Sequence, residues 1–246
     1  MRVKFLGSGD AFGTGGRFNT CFHIAAPSGE YLIDCGATAL VAMRRFGVDP
    51  KAIRAIFISH LHGDHFGGLP FFLLDAQFVS RRTEPLVLVG PPGLDQRLRD
   101  AMEALFPGSS KIAWNFAIDS IAITPGKAHM VGAVSVTPFP AAHESGAPSY
   151  ALRLSCDGKT VSYSGDTEWT DTMIDAAAGA DLFIIESSSY DRKVPYHIDY
   201  MTLRTKRDLL MARRIILTHM GPEMLARAKA GEIAFETAED GKSVEI

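Results

Sequence analysis

No apolar run in this 246-residue chain approaches the roughly 20 residues that a membrane-spanning helix needs, so no membrane span is expected. Cysteine is scarce. There are 3, an odd number, and Cys21, Cys35 and Cys156 have no metal-binding pair spacing. A disulfide scaffold is thereby excluded, and the three thiols are expected to be reduced and buried, as in a reducing cytoplasm. A basic surplus is missing too: net charge is -3 and the sequence pI is about 6.2, which advertises no broad face for nucleic acid. The densest basic group, Arg204, Lys206, Arg207, Arg213 and Arg214, is expected to be a solvated helix face. There is no Gly-x-Ser-x-Gly elbow, and no cysteine has an obvious activating histidine. The glycine-rich residues 7–16 lack the Lys-Ser/Thr ending of a phosphate loop. The opening Met1-Arg2-Val3-Lys4-Phe5-Leu6 is broken by glycine too soon for a signal peptide, in keeping with the expected cytoplasmic location.

What is present is ordinary in bulk. Hydrophobic residues make up 46% and charged residues 22%, the balance of a globular protein large enough to build a core without covalent staples. No linker, low-complexity tract or repeat divides the chain, so residues 1–246 are expected to form a single domain. Strands are expected at residues 2–6, and at 21–25 and 31–34 as a hairpin. Further strands are expected at 55–58 and 85–90, at 150–155 and 160–164 as a second hairpin, and at 181–186 and 213–218. Residues 37–46, 69–79 and 94–106 read as helices, and residues 116–139 as β-rich.

One stretch stands apart. Ser59-His60-Leu61-His62-Gly63-Asp64-His65 packs three histidines and an aspartate into six positions, immediately after the buried-strand pattern Ala55-Ile56-Phe57-Ile58. Ligands of α/β proteins bind at that carboxyl edge. Imidazole and carboxylate together suit zinc, iron or copper, and Gly63 is expected to permit the tight turn on which the side chains converge. The same device recurs. In Pro138-Phe139-Pro140-Ala141-Ala142-His143 a strand ends and a histidine follows, Asp166 follows Ser164-Gly165, and His219 follows Ile215-Ile216-Leu217-Thr218. Four strands deliver a histidine or aspartate at their ends, as a site assembled from distant parts of the chain would require. Asp34, ending its own strand, could orient such a ligand from behind. His23 is expected to be structural and His129 a surface residue.

His60-x-His62-x-Asp64-His65, followed in order by His143, Asp166 and His219, resembles the metallo-β-lactamase superfamily, over nearly the whole chain. The lead-in segments Phe5-Leu6-Gly7-Ser8-Gly9 and Tyr31-Leu32-Ile33-Asp34-Cys35-Gly36 fit it. Pro85-Leu86-Val87-Leu88-Val89-Gly90-Pro91, Pro148-Ser149-Tyr150 and Ser162-Tyr163-Ser164-Gly165-Asp166-Thr167 are most similar to the ribonuclease Z and cyclic phosphodiesterase branch. His197 resembles that branch's extra catalytic histidine. The resemblance implies an αββα four-layer sandwich of two mixed β-sheets flanked by helices. It implies two divalent metal ions, zinc by default with manganese or iron as alternatives. One would take His60, His62 and His143, the other Asp64, His65 and His219, with Asp166 bridging. It also points to a homodimer. A diiron redox role is disfavoured by His62, where the related oxygen-reducing proteins carry glutamate.

The chemistry follows. Three nitrogen ligands leave zinc an open position, and two ions about 3.5–4 Å apart can share a hydroxide and clamp both oxygens of a displacement. Two such ions, two aspartates and a hydroxide sum to about +1, a field suited to an anionic small-molecule phosphodiester. His197 could protonate the leaving alkoxide, Glu186 could hold His197 in its donating tautomer, and Asp64 could assist deprotonation besides ligating. The function expected is therefore a dinuclear metal-dependent phosphodiesterase for a small or cyclic diester. Three alternatives stand beside it. A ribonuclease Z-like tRNA 3'-end nuclease is disfavoured because the inserted tRNA-gripping arm of those enzymes and a basic surface are both missing. The others are a lactonase or thioesterase-type hydrolase on the same site, and a metal-dependent binding or sensor protein.

Overall fold

The computed structural model describes all residues, Met1–Ile246. The first half of the chain contributes β1 (Arg2–Gly7), β2 (Cys21–Ala26), β3 (Gly29–Ile33), β4 (Ile53–Phe57), β5 (Leu86–Gly90) and β6 (Ile118–Ala122). The second contributes β7 (His129–Val131), β8 (Val134–Pro140), β9 (Tyr150–Cys156), β10 (Lys159–Tyr163), β11 (Leu182–Glu186), β12 (Ile215–Thr218), β13 (Glu236–Thr237) and β14 (Ser243–Glu245). Seven helices intervene: α1 (Ala39–Arg45), α2 (Gly63–Phe66), α3 (Leu69–Phe78), α4 (Leu94–Leu105), α5 (Thr172–Ala177), α6 (Tyr200–Lys206) and α7 (Pro222–Lys229). One sheet has the order β14-β1-β2-β3-β4-β5-β6 and the other β13-β12-β11-β10-β9-β8-β7. In each, the strand pairs are antiparallel at one end and parallel at the other. The two halves thus share a strand pattern that no sequence repeat announces.

Period-two alternation makes the layers. Phe5, Ile33, Phe57, Leu182, Ile184 and Ile216 meet in one core between the sheets. Their chain neighbours point the opposite way. Leu6, Leu32 and Ile56 pack beneath α1, α3 and α4, while Phe183, Ile185, Ile215 and Leu217 pack beneath α5, α6 and α7. Strands covered on both faces read as continuous apolar runs, as Ala55–Ile58 and Leu182–Ile185 do. The result is the αββα sandwich.

Two expectations change. Residues 116–139 are β-rich but not one unit, since β6 closes the first sheet while β7 and β8 open the second. The five basic residues do not share a helix face. Arg204 and Lys206 lie on α6 and Arg207 in the following 3-10 turn, whereas Arg213 and Arg214 precede β12 and pair with Asp181 and Glu236. The three cysteines are free and buried. His23 is buried against Glu30, 2.8 Å away, and His129 sits half-buried on β7 beside Thr124.

Candidate metal centre

His60, His143, Asp166 and His219 each lie just beyond the end of a strand, β4, β8, β10 and β12. After β4 the chain passes through Ser59 and His60 to His62, which precedes α2, and the single turn of α2 carries Asp64 and His65. The tight turn expected at Gly63 is instead the start of this helix. Gly63 has no positive φ, and a Cβ there would meet nothing within 4 Å. The glycine that matters lies elsewhere: a Cβ on Gly36 would collide with the Asp64 carbonyl oxygen, so α2 rests directly on Gly36. Gly165 has φ 60, and its Cβ would lie 2.6 Å from the Tyr150 carbonyl; only glycine lets β10 turn Asp166 inward. Asp34 (φ 56) and His219 (φ 57) also adopt the left-handed region, at a cost of about 1–2 kcal/mol each borne by the surrounding packing.

The exits bring two clusters together. His60, His62 and His143 offer ligand atoms within 4.8 Å of one another, and so do Asp64, His65, Asp166 and His219. Asp166 Oδ2 faces both clusters, 3.9 Å from His60 Nε2, 3.4 Å from His65 Nε2 and 3.3 Å from His219 Nε2. Asp64 Oδ2 lies 3.2 Å from His65 Nε2 and 3.3 Å from His219 Nε2. A tetrahedral zinc with ligands at about 2.0–2.1 Å has ligand-to-ligand edges of about 3.3–3.4 Å. The four short separations around Asp64, His65, Asp166 and His219 have that size. Across the other cluster His143 Nε2 and His62 Nδ1 are 2.9 Å apart. His60 Nε2, His65 Nε2 and Asp166 Oδ1 are buried with no hydrogen-bond partner, a cost of about 1–3 kcal/mol per group unless something satisfies it. The donor set and its orphaned atoms fit divalent cations.

Hydrogen bonds behind the clusters fix which nitrogen faces inward. Asp34 Oδ1 accepts the Ser59 N–H at 2.7 Å, and its Oδ2 accepts from Ser59 Oγ and from His65 Nδ1, each at 2.7 Å. Having given its one proton to Asp34, Ser59 Oγ must accept from His60 Nδ1, 3.1 Å away. One buried carboxylate therefore fixes Nδ1 as the donor in both rings, so that in the neutral form His60 Nε2 and His65 Nε2 are the unprotonated atoms facing the site. His143 Nδ1 donates to the Tyr196 carbonyl at 2.9 Å, with the same consequence for His143 Nε2. Burial, together with the neighbouring imidazoles, pushes His60 and His62 below the ordinary histidine value, toward the neutral ligating form. Burial opposes charge at His219 as well, but Asp166 and Asp64 outweigh it and push His219 up to about 9. His65 rises for the same reason. Burial would raise Asp64 and Asp166, but His65 and His219 hold both carboxyls below the usual range.

His197 stands beside both clusters. Its Nδ1 lies 3.0 and 3.1 Å from the two oxygens of Glu186, a fully buried carboxylate that also accepts the Thr167 N–H at 2.7 Å. Its ring stacks on His219, with centroids 5.6 Å apart and 13° between planes, and meets His143 edge-on at 5.1 Å. Burial raises Glu186. His197 is pulled down by burial but raised overall by Glu186. Two cavities flank His197. One of about 330 Å³ is bounded by Asp10, Phe12, Thr14, Arg192 and His219, the other, of about 380 Å³, by Glu168, Trp169, Lys193 and Asp199. The glycine-rich segment supplies Phe12, 92% exposed at its tip. The N–H groups of Phe12 and Thr14 are taken by Asp10, so they do not cradle a phosphate.

The structure also gives roles to residues to which the sequence pattern assigned none: Ser59 and Thr167, which hold Asp34 and Glu186, and Glu168 and Tyr196, which stand behind His143. Ser59 and Thr167 lie inside the motifs, beside His60 and Asp166, whereas Glu168 and Tyr196 have no motif spacing.

Comparison with known proteins agrees with this architecture. Residues 1–240 match the family model described as anti-Pycsar protein Apyc1. Ribonuclease Z of Methanothermobacter thermautotrophicus is 26% identical over 291 aligned positions, covering 97% of this chain and 91% of the relative. The crystal structure of human tRNase Z, short form, superposes with a TM-score of 0.78 at 24% identity, covering 100% of this chain and 99% of the other. A diphosphatase of the PhnP family superposes with a TM-score of 0.77 at 17% identity, covering 100% and 97%.

Proposed function

The chain belongs to the anti-Pycsar protein Apyc1 family within the metallo-β-lactamase superfamily and is a metal-dependent hydrolase; from this premise we propose that it is a phosphodiesterase acting on a small or cyclic diester. Two divalent ions would be held, one by His60, His62 and His143 and the other by Asp64, His65 and His219, with Asp166 placed to serve both. When bound, such ions polarise a phosphoryl oxygen and acidify water, supplying a nucleophile near neutral pH.

The observation that carries the diester reading is the placement of His197. A diester's leaving group departs as an alkoxide and needs a proton, a service worth typically about 10²–10⁴-fold. Glu186 ties down His197 Nδ1 at 3.0 Å, which leaves Nε2 as the nitrogen free to donate and keeps the ring in one orientation. By raising His197, Glu186 also keeps that proton in place near neutral pH. The two cavities on either side of His197 provide room for both substituents of the phosphorus, with an apolar wall at Phe12 and a cation at Lys193.

A small diester is favoured over tRNA. The alignment with the archaeal ribonuclease Z runs to 291 positions against a chain of 246, so the relative carries insertions that this chain lacks, and net charge is -3. Steady-state assay of the metal-loaded protein on aryl phosphodiesters, cyclic phosphodiesters, precursor tRNA, lactones and thioesters tests the proposal. Turnover confined to lactones or thioesters refutes it, and salt-sensitive cleavage of precursor tRNA above all others replaces it with the nuclease reading.

A further inference from the structure

We propose that Glu168 is a positioning residue that aligns His143 and His197 with each other, acting through the backbone of Tyr196. The inference rests on the reading of His143 as a metal ligand and His197 as a proton donor, and it concerns a residue outside both clusters.

The geometry is a closed circuit. The Glu168 carboxylate accepts the Tyr196 N–H at 2.7 Å. The Tyr196 carbonyl accepts from His143 Nδ1 at 2.9 Å. His143 follows Ala142, whose carbonyl accepts the Glu168 N–H at 3.1 Å and whose own N–H donates to Thr167 Oγ1 at 2.9 Å. The loop is thus closed from Glu168 through Tyr196, His143 and Ala142 back to Glu168. Tyr196 is the strained member, with φ 68, a conformation that a residue with a large side chain holds only when its surroundings impose it. Here the Glu168 bond on its N–H and the His143 bond on its carbonyl impose it from both sides.

Because Tyr196 immediately precedes His197, the same strained peptide aims the proton donor. Thr167, the residue before Glu168, donates its N–H to the Glu186 oxygen that His197 also contacts. Asp166, one residue earlier, lies between the two clusters. Three consecutive residues therefore reach the proposed bridging position, the carboxylate behind His197 and the peptide behind His143. Were Glu168 removed, Tyr196 could relax toward negative φ, its carbonyl would swing from His143 and His197 would lose its fixed approach. Groups that support a metal-binding histidine in this way are worth about 10–100-fold in affinity or activity.

The experiment compares Glu168→Ala, Glu168→Gln and Glu168→Ala/His197→Ala with the parent and His197→Ala proteins. Zinc retention is read by chelator competition, and kcat and KM are measured on an unactivated alkyl diester and a nitrophenyl diester. Glu168→Ala is expected to loosen one zinc equivalent by about 10-fold and to lower kcat on the alkyl diester far more than it raises KM. Glu168→Gln, which keeps an acceptor oxygen, is expected to recover most of both losses. In the His197→Ala background Glu168→Ala should still loosen zinc but, assayed with zinc saturating, add no further loss on the alkyl diester. Unchanged zinc retention and kcat in Glu168→Ala overturn the proposal. So do losses that Gln fails to recover, or that add in full to His197→Ala, since these mark a residue that only supports the fold. If the parent protein turns over no diester, the proposed function fails while the zinc arm still tests the Glu168–Tyr196–His143 linkage.

Discussion

Replacing Asp34 by asparagine changes one atom in a fully buried side chain and tests how the site is built. The carboxylate accepts three hydrogen bonds, from Ser59 N, Ser59 Oγ and His65 Nδ1, all at 2.7 Å. Asparagine has one acceptor oxygen and one NH₂ group, so it can serve only one side. If its oxygen faces the Ser59 N–H, the NH₂ faces His65, whose Nδ1 must then accept, and the proton moves to Nε2, the atom aimed at the metal position. Ser59 Oγ can turn to accept from the NH₂ as well as from His60 Nδ1 with its two lone pairs, but its own proton then loses the Asp34 acceptor. If instead the oxygen faces His65, the NH₂ confronts the Ser59 N–H, and a buried donor loses its partner at about 1–3 kcal/mol. The first arrangement weakens metal binding by about 10–100-fold, equivalent to about 1.4–2.7 kcal/mol. The second lowers the apo melting temperature by about 2–12 °C, at about 2–4 °C per kcal/mol for a chain of this size. Zinc retention under chelator competition and melting of the apo protein, measured together, therefore form a paired readout. One or both must fall. An Asp34→Asn protein with parental zinc affinity and parental melting temperature refutes the argument that this carboxylate sets the ligating tautomers.

Asp166→Ala is expected to remove the atom shared by both clusters and to lower the metal-to-protein ratio after dialysis against buffer, read by elemental analysis; full metal content would exclude Asp166 as a bridge. His197→Ala should keep its metal while losing about 10²-fold or more on alkyl leaving groups and much less on nitrophenolate. Equal losses on both would show that His197 is not the acid. Away from the site, Arg214 binds Glu236 through two bonds of 2.7 Å and, with Lys242, holds its carboxyl down at about 2. A folded value below the unfolded one of about 4.5 means that this contribution is complete above about pH 4.5 and disappears as the pH falls toward about 2. Glu236→Gln should therefore lower the melting temperature at neutral pH and converge with the parent protein near pH 2. A parallel offset at all pH values would refute that assignment.

The residues in the chain pattern and those in the structure differ in a physically instructive way. His60, His62, Asp64 and His65 were legible because they are neighbours after an apolar strand, and a strand's end is a local property. His143, Asp166, Glu186 and His219 were legible for the same reason, each following a recognisable run. The two-layer core was legible in outline, because strands buried on both faces have no polar alternation. Glycine was misread at one point: Gly63 sits in the run of ligating types, yet the close approach occurs at Gly36, across a contact between segments far apart in sequence. Likewise the basic residues 204–214 look contiguous, but the chain leaves α6 between them, and Arg214, just before β12, is taken by Glu236 on the neighbouring strand β13.

Sequence alone determined which side chains could hold a cation and on which strands they leave the sheets, since both follow from residue chemistry and from periods of two and 3.6. Tertiary structure alone decided the tautomers of those histidines and the aim of His197. Those depend on Asp34 reaching across to Ser59 and His65, and on Glu168 holding Tyr196 at φ 68. Such contacts join segments separated by tens of residues, and a backbone conformation imposed by packing leaves no trace in the letters that adopt it.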